Sequence, residues 1–401
     1  MKYLPLIFML FALSFVSCKP TEKVEESSKQ WYKGNLHTHS YWSDGDDYPE
    51  MIMDWYKSHE YDFVVLSDHN ILAEGEKWKL IPKSPSHEMG YQKYVEKYGD
   101  QVISREDLAG RIEVKLKTLA EYAPMFEEPG EFLIIQSQEL SDSFDKKPIH
   151  MNVTNVQKEI TPQGGNSVSE VMQRSLDKVK AQRDSTGVPM FLHINHPNFI
   201  WAITPEDIIA LDGERFFEVY NGHPLVHNYG DSLRPGMEAL WDQVQVAYLE
   251  DEKPLLYGLA VDDSHNYHVF DQNSSNPGRG WVMVLAESLD PASLVEAMEL
   301  GDFYSSTGVT LESIDFDGEV LNVDVKPEEG ITYTIQFFGT KKSNPESTGV
   351  LLDEENGEKA SYSLEADDMY VRAKIISSKP KENPYQLGDM EVAWTQPVKQ
   401  Y

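Results

Sequence analysis

Short runs of apolar residues recur through the first three quarters of the chain, and helical patterns separate them. The run YDFVVL at 61–66 is rich in β-branched residues and shows no alternation, which is typical of a strand buried on both faces of a parallel sheet. Apolar residues at helical spacing from Val168 to Val179 predict a helix that Ser167 caps. This alternation predicts an α/β fold with a parallel sheet, most economically a TIM-like (β/α) barrel, over residues 31–308. The predicted strands are 31–39, 61–66, 132–136, 190–194, 216–220 and 255–261, and the predicted helices include 48–57, 168–179 and 292–300.

The pattern changes near Val309, where strict alternation of apolar and polar residues replaces the continuous runs. Residues 331–337 and 371–375 show this alternation most clearly, and turns rich in glycine and proline separate such segments. We therefore expect a small antiparallel β-sandwich domain over residues 309–401. No catalytic cluster falls there, so packing or spacing is its expected role.

The N-terminus has a pattern of its own. Lys2 is followed by an almost continuous apolar stretch at 3–16, which has the length of a signal-peptide core and is too short to span a membrane. A small residue and then Cys18 follow it and resemble a bacterial lipoprotein cleavage site; an ordinary signal peptide with an incidental cysteine is the alternative. We expect a signal peptide at 1–17, a polar tether at 18–30, and an exported protein. A lipid anchor on Cys18 would hold it at the periplasmic or cell-surface face of the bacterial cell envelope.

Charge and cysteine content narrow the classes of partner. The 401 residues include 35 basic and 67 acidic side chains, which gives a formal net charge of −32. Such a field repels nucleic acid, so no nucleic-acid partner is expected. The single cysteine excludes an intrachain disulfide and a cysteine-based zinc finger. The sequence shows no obligate protein partner.

Histidines and carboxylates gather directly after the predicted strands. His37 and His39 are two residues apart, so strand alternation points both imidazoles the same way, and the DSH segment at 263–265 repeats that spacing. A lone histidine is usually a satisfied polar residue, and we interpret His59 and His87 so. The ends of barrel strands converge on one face, where active sites lie. We therefore expect nine histidines and carboxylates near the ends of predicted strands to form one cluster. They are His37, His39, Asp44, His69, Glu139, His150, His196, Asp263 and His265.

This cluster resembles that of the PHP (polymerase and histidinol phosphatase) superfamily of metallohydrolases. The four motifs of the family occur here in order as HTHS, SDHN, HP and DSH, and Glu139 and His150 also match. The resemblance covers about residues 31–308. It implies a distorted seven-stranded (β/α) barrel and up to three divalent metal ions, held by the nine residues of the cluster. The position of Asp44 is occupied by Asp or His in the family.

A narrower resemblance links the chain to exported PHP proteins related to the carbaryl-hydrolase metallohydrolases. It rests on the run EVYNG at 218–222, VDDSH at 261–265, GW at 280–281 and GDFYSSTG at 301–308. The all-β tail that ends AWTQP at 393–397 also fits that subgroup. This pattern departs from the DNA-polymerase and histidinol-phosphatase branches, so neither of their substrates is carried over.

The charge balance of such a site suggests its chemistry. Two to three divalent ions (zinc, manganese or iron) would exceed the charge of the three carboxylates, and the surplus suits a small anionic substrate such as a phosphate ester. Glu139 is the natural bridging ligand, and a hydroxide held between two metals is the expected nucleophile. Asp263 and His193 are further catalytic candidates, although His193 could equally be a core residue of its strand. Candidates for contact with substrate are Arg279, Asn221, His223, His227 and Tyr304. A surface ion pair is the alternative for Arg279, and a polar loop without a role is the alternative for Asn221, His223 and His227. Residues expected to orient ligand imidazoles are Asp68, Asp262 and Asn152.

Three functions remain open at this point. The first is a metal-dependent phosphoesterase acting on phosphomonoesters or phosphodiesters. The second uses the same metal centre to cleave a carbamate, a carboxylic ester or an amide. The third is a surface glycan-binding or scaffold lipoprotein with a vestigial site, although the intact set of candidate ligands speaks against it.

Overall fold

The structure of the protein is a computed structural model that describes residues 29–400. The predicted signal peptide, Cys18 and nearly all of the tether lie outside the described residues. Within residues 29–400, no helix combines the length and the apolar character needed to cross a membrane. The helices are α1 (Pro49–Ser58), α2 (Pro85–Tyr98), α3 (Leu119–Tyr122), α4 (Val168–Thr186), α5 (Pro205–Ile209), α6 (Met237–Glu250) and α7 (Pro291–Leu300). The strands are β1 (Gln30–Asn35), β2 (Phe63–Leu66), β3 (Trp78–Leu80), β4 (Ser104–Glu106), β5 (Ile112–Lys115), β6 (Leu133–Phe144), β7 (Lys147–Thr154), β8 (Phe191–Ile194), β9 (Phe216–Asn221), β10 (Tyr257–Val261), β11 (Trp281–Ala286), β12 (Phe303–Ser306), β13 (Leu311–Phe316), β14 (Val320–Val325), β15 (Tyr333–Lys341), β16 (Val350–Asn356), β17 (Lys359–Ser363), β18 (Asp368–Pro380) and β19 (Met390–Thr395).

One mixed sheet of 13 strands forms the frame of the molecule, in the order β10-β9-β8-β7-β6-β2-β1-β11-β12-β19-β18-β15-β16. The predicted α/β fold is confirmed, and the short apolar runs are strands buried along their whole length, as in β2, β8 and β10. Helix α4 begins after Ser167, whose side chain accepts a hydrogen bond from the backbone N–H of Glu170. The apolar faces of α4 and α6 pack against β7, β8 and β9 in one buried cluster.

The expectation of a parallel sheet is wrong at β7, and it is also wrong at β11, which runs antiparallel to both β1 and β12. The pairs β1–β2, β2–β6, β8–β9 and β9–β10 are parallel, but β7 runs antiparallel to both β6 and β8. The reason is a two-residue hairpin: Asp145 and Lys146 both have positive φ angles, 48° and 65°, and Phe144 pairs with Lys147. Turns of this kind suit the twist of antiparallel strands but usually contain Asn-Gly or Asp-Gly, so the dipeptide Asp145-Lys146 carries no recognisable turn signal.

Strands β10 and β1 stand far apart in the sheet order, yet the segments that follow them meet in space. Thr38 and Ser264 form an isolated parallel bridge, and the N–H of His39 donates to the carbonyl of Ser264 at 2.9 Å. The residues after β1 therefore lie beside the residues after β10. This contact brings the HTHS and DSH segments together.

Strand β10 lies at one edge of the 13-stranded sheet. Side chains from other segments form hydrogen bonds with backbone groups of this strand. The N–H of Gly258 donates to Oε1 of Gln396 at 2.9 Å, and Nε2 of Gln396 donates to the carbonyl of Gly258 at 3.0 Å. The N–H of Ala260 donates to Oγ of Ser305 at 2.9 Å. These polar side chains stand in for the backbone of a further strand.

Residues 307–400 contain β13 to β19 and no helix, as the alternating pattern predicts. Strands β15, β16, β18 and β19 extend the main sheet, because β19 pairs with β12. Strands β13, β14 and β17 form a second, three-stranded sheet, and its apolar residues share one buried cluster with β15 and β18. The predicted boundary at 308/309 therefore falls next to a strand that carries the sheet into the C-terminal region.

An insertion between β2 and β6 was not predicted. Strands β3, β4 and β5 form a separate three-stranded sheet, with α2 between β3 and β4. A buried cluster that includes Tyr41, Trp42, Tyr48 and Tyr94 fixes this insertion against the segment that follows His39. The insertion consequently borders the site described next.

Candidate metal centre

Four ligand-type atoms converge where β1 and β10 end. Nε2 of His37 lies 3.0 Å from Nε2 of His39, 3.3 Å from Oε2 of Glu139 and 3.2 Å from Oδ1 of Asp263. Nε2 of His39 lies 3.1 Å from the same oxygen of Glu139 and 3.3 Å from that of Asp263. Atoms bound to one cation at about 2.0–2.2 Å lie roughly 2.8–3.6 Å apart in octahedral or tetrahedral geometry. The spacing therefore suits one divalent ion.

The hairpin of β6 and β7 supplies the next pair of residues. Antiparallel pairing sets His150 opposite Ser141, two residues along β6 from Glu139 and on the same face. Nδ1 of His150 accordingly lies 2.8 Å from Oε1 of Glu139. His69, which bridges to Glu139 in parallel, brings its Nδ1 to 3.1 Å from Oε2. Glu139 thus stands between the His37–His39 pair on one side and His69 and His150 on the other.

The surroundings of Glu139 test whether the residues fit a cation. Its side chain is fully buried, and Oε1 accepts no hydrogen bond although His150 Nδ1 lies only 2.8 Å away. A buried carboxylate oxygen normally has a hydrogen-bond donor aimed at it. A nitrogen at contact distance without that geometry fits two ligands that share an ion, with lone pairs pointing inward. The donor set of imidazoles and carboxylates is also the one that zinc, manganese and iron accept.

A further group lies at the mouth of the cluster around the more exposed Asp44. One oxygen of Asp44 is 3.4 Å from Nε2 of His69, and the other is 3.4 Å from Nε2 of His265. His39 joins this group through Nδ1, 3.7 Å from Asp44, and its ring stacks on His265 at 4.0 Å. The structure therefore brings all nine predicted ligands together. The groupings that could hold a cation are His39–Asp44–His69–His265, His37–His39–Asp263, His69–Glu139–His150, His37–Glu139–His196 and His37–His193–Glu218.

Burial and close charges set the protonation of these groups in opposite directions. Burial alone would lower the pKa of His39, but hydrogen bonds to Asp263 and Glu139 outweigh it and raise the pKa to about 10. Burial likewise would raise the pKa of Glu139 and of Asp263, but neighbouring imidazoles hold both well below their usual range. His196 is buried with less compensation, and its pKa falls to about 4. The carboxylates are therefore ionised and ready to accept a cation.

Backbone strain concentrates in the loops that carry these residues. His196, after β8, has a φ angle of 24°, and Asp263, after β10, has a φ angle of 50°. Asn70, next to His69, has a φ angle of 53°, and its side chain bonds both backbone groups of Ser141. Non-glycine residues rarely adopt these angles, which cost about 1–3 kcal/mol each and cluster at functional sites. Here the strain directs side chains into the cluster.

Two of the residues expected to contact substrate lie at the cluster. Nδ2 of Asn221 donates to Oδ2 of Asp263 at 3.1 Å, which places this amide against a candidate ligand. The ring of His223 lies 5.6 Å from that of His265 and 5.6 Å from that of Phe199. Burial lowers the pKa of His223 to about 4, so its imidazole is neutral at the edge of the site.

Three other candidates have different roles from those expected. Arg279 is buried, and its guanidinium donates to the carbonyls of Gly222, Ser274 and Asp271, so it ties loops together rather than clamping a phosphate. Tyr304 is buried in the cluster shared with the C-terminal strands, and its hydroxyl accepts from the N–H of Leu311 at 3.0 Å. His227 stacks on Trp201 at 4.4 Å, outside the groupings that could hold a cation. An arginine in a loop looks alike in sequence whether it binds carbonyls or substrate.

His193 is a buried residue of its strand and not an exposed acid. Its Nε2 lies 3.3 Å from Oε1 of Glu218, and its Nδ1 has no hydrogen-bond partner. Burial lowers its pKa, which also disfavours a charged imidazole acting as a general acid. The core interpretation of His193 therefore fits the geometry.

The residues expected to orient imidazoles instead fix loops. Asp68 accepts from the backbone and side chain of Ser40 and from Oγ of Ser43. Asp262 accepts from Tyr56 and from three backbone N–H groups at 278–280, and Asn152 bonds Asn195 and the carbonyl of Leu36. A carboxylate that does contact an imidazole was missed. It is Glu218, within the apolar run FFEVY, and a charged residue inside a buried strand was the available signal.

Known proteins offer limited comparison. No family model matches the chain, and no curated protein matches its sequence. Among solved structures, a two-domain protein from Bacteroides vulgatus containing a predicted PHP-like metal-dependent phosphoesterase is 11% identical; the match covers 93% of this chain and 96% of that one, with a TM-score of 0.39. A putative metal-dependent phosphoesterase from Bifidobacterium adolescentis is 10% identical over 59% of this chain and 88% of that one, with a TM-score of 0.28. An amidohydrolase from Chromobacterium violaceum, with bound sulfate and no metal, is 12% identical over 58% and 87%, with a TM-score of 0.26.

Proposed function

We propose that this chain is a divalent-metal-dependent hydrolase of the PHP superfamily that cleaves phosphate esters. One observation supports it most strongly: the Nε2 atoms of His37 and His39 lie 3.0 Å apart, and each lies 3.1–3.3 Å from an oxygen of Glu139 and from an oxygen of Asp263, all in a buried setting. Packing gives no reason to bury two imidazoles and two carboxylates in mutual contact, because taking ionisable groups out of water is costly even when they are paired. A vestigial binding protein would have lost part of this set.

Each residue of the cluster would have a specific role in binding cations. His37, His39 and Asp263 would hold one cation, and Asp44, His69 and His265 would hold another nearer to solvent. Glu139, with His150 and His69 against its two oxygens, lies between the groups and fits a shared ligand. Divalent ions held there would supply Lewis-acid activation of a water molecule and of the ester. Asn221 holds Asp263 in place through its amide.

Charge favours an anionic substrate. The carboxylates of Asp44, Glu139 and Asp263, with Glu218 behind His37, bring four negative charges, which two divalent ions would balance and three would exceed. Two lysines of the insertion, Lys77 and Lys79, add positive charge at the rim, since their ammonium groups donate to the carbonyls of Trp42 and Ser43, next to Asp44. A phosphate ester would meet excess positive charge on entering the site.

The test is an assay of purified protein, freed of metal by a chelator and then supplied with manganese, zinc or iron. We expect hydrolysis of phosphomonoesters or phosphodiesters that disappears again on chelation. His39→Ala and Asp263→Ala should each lower metal content and activity together. His59→Ala is the matched control, because His59 is exposed and stacks on Trp55 outside the cluster. A folded protein that binds no metal would refute the proposal.

Hydrolysis of a carbamate, a carboxylic ester or an amide is the second candidate. Two observations favour it: the buried guanidinium of Arg279 is committed to carbonyls, and an aromatic ring, Phe199, flanks the cluster. Phe199 lies 5.0 Å from His196 and 6.4 Å from His150 between ring centroids. An apolar wall suits a neutral substrate with an aryl or alkyl group. The same assay panel, extended to carbamates and carboxylic esters, separates the two candidates.

The remaining expectations stay proposals. We propose that β1, β2 and β6 to β10 form the closed barrel that the family resemblance implies, supported by the Thr38–Ser264 bridge, and that the C-terminal strands form a sandwich. Export, the lipid anchor on Cys18 and the relation to carbaryl-hydrolase-like proteins rest on sequence patterns alone.

A further inference from the structure

Glu218 occupies a layer between the apolar interior and the candidate metal cluster. Phe191 on β8 and Phe216 on β9 belong to one buried apolar cluster. Two residues further along each strand, and hence on the same face, stand His193 and Glu218, both fully buried. A carboxylate in this position needs partners that compensate its charge, since burying an unpaired charge is strongly unfavourable.

Both oxygens of Glu218 have partners, and these partners lead to the cluster. Oε1 lies 2.6 Å from Nδ1 of His37 and 3.3 Å from Nε2 of His193. Oε2 accepts from the backbone N–H of His196 at 2.7 Å and from Nδ2 of Asn221 at 2.8 Å. The carboxylate therefore joins the segment after β1, the end of β8 and the end of β9.

The contact with His37 decides which ring nitrogen can bind a cation. A carboxylate at 2.6 Å from Nδ1 keeps a proton on that nitrogen, which leaves the lone pair of Nε2 facing His39, Glu139 and Asp263. Carboxylates that accept from the second nitrogen of a metal-binding histidine fix its tautomer and orientation. The hydrogen bond from the N–H of His196 to Oε2 of Glu218 contributes as well, because it holds His196 at its unusual φ angle of 24°.

We propose that Glu218 is a positioning residue that orients His37 and the His196 loop for cation binding. The inference rests on the proposed metal-dependent function. Glu218 does not itself join the four atoms that converge at the centre of the cluster; it acts through His37.

The experiment compares Glu218→Gln with the unsubstituted protein and with Glu214→Gln. Glutamine keeps the size of the side chain, but its NH₂ group would face one of the N–H donors. We expect the affinity for Zn²⁺ or Mn²⁺, measured by competition with a chelating dye, to fall roughly 10- to 100-fold. Glu214 is also buried and lies four residues earlier, but its partners are the N–H groups of Arg215 and Phe216, so Glu214→Gln should bind metal normally.

A second measurement needs no variant. In zinc-loaded protein with ¹⁵N-labelled histidine, the signals of His37 should show a protonated Nδ1 and a zinc-bound Nε2. Binding of zinc through Nδ1 would overturn the inference, and so would a folded Glu218→Gln protein with unchanged metal affinity. If Glu218→Gln does not fold, Glu218→Asp, which keeps the charge but has a shorter reach, should give an intermediate loss of affinity, and unchanged affinity would again refute the role. Absence of metal binding by the unsubstituted protein would instead refute the proposed function.

Discussion

Cation binding should displace protons from the site, and the structure gives the size of the effect. In the metal-free protein, Asp263 and Glu139 raise the pKa of His39 to about 10, so this imidazole carries a proton at pH 7. Burial alone would lower the pKa of His37, but Asp263, Glu218 and Glu139 raise it well above its usual value. A ligand imidazole must be neutral, so the proton has to leave before Nε2 can bind a cation.

The free-energy cost of removing the proton from His39 follows from the difference between its pKa and the pH. Three pH units at about 1.4 kcal/mol each amount to about 4 kcal/mol at pH 7 for His39 alone. The direction of the pH dependence follows from this pKa, because the protonated form of His39, which cannot bind a cation through that nitrogen, is favoured below pH 10. The apparent metal affinity should therefore rise roughly tenfold per pH unit between pH 6.5 and 8.5 for each proton displaced.

Isothermal titration calorimetry of zinc binding checks this expectation. Titrations at pH 7 in buffers with different ionisation enthalpies should show that at least one proton leaves the protein per ion bound. Asp263→Asn removes one carboxylate that bonds His39, so this variant should release fewer protons and bind more weakly. Zinc binding at pH 7 without proton release would refute the assignment of the charges.

Other predictions concern stability and anchoring. Asp242 and Arg372 form a buried bidentate ion pair between α6 and β18, with bonds of 2.9 and 2.7 Å, so Asp242→Asn should lower the free energy of unfolding by about 3–5 kcal/mol in denaturant melts, while replacing both by apolar residues should cost much less. Burial raises the pKa of Glu214 to about 8, so the folded state holds a proton that the unfolded state loses near pH 4.5, and stability should fall as pH rises between these values. Glu214→Gln should reduce that fall, as melts at pH 5 and pH 9 would show. Cys18→Ser should move the protein from the membrane fraction to the soluble fraction, and retention in the membrane would contradict the lipid anchor.

Periodicity predicted the elements whose environment is uniform along their length. Strands such as β2 and β8 are buried on both faces, so every residue is apolar and the run can be read directly. The direction of β7 could not be read in this way, because the turn at Asp145–Lys146 adopts positive φ angles without a glycine. Direction depends on that turn, and apolar patterning does not encode it.

The candidate site likewise contains residues that local patterns could predict and residues that they could not. Histidines at strand ends were recognisable because their spacing repeats and packing does not explain them. The role of Glu218 depends on Nδ1 of His37, 181 residues away in the chain, so no local pattern could show it. Arg279 is the opposite case, because its position in a loop suggested exposure, but carbonyls from two segments enclose the guanidinium.

The side-chain partners of β10 have a consequence for biosynthesis. Gln396, which bonds Gly258, is made more than a hundred residues after the strand that it completes. Until then, Ser305 covers only part of this edge, and the N–H of Gly258 lacks its partner, which favours pairing with another chain, a known route to aggregation. A chain shortened before β19 would keep every candidate metal ligand and Ser305, yet lose both hydrogen bonds between Gln396 and Gly258. Nascent chains should therefore depend on a chaperone until this segment has emerged.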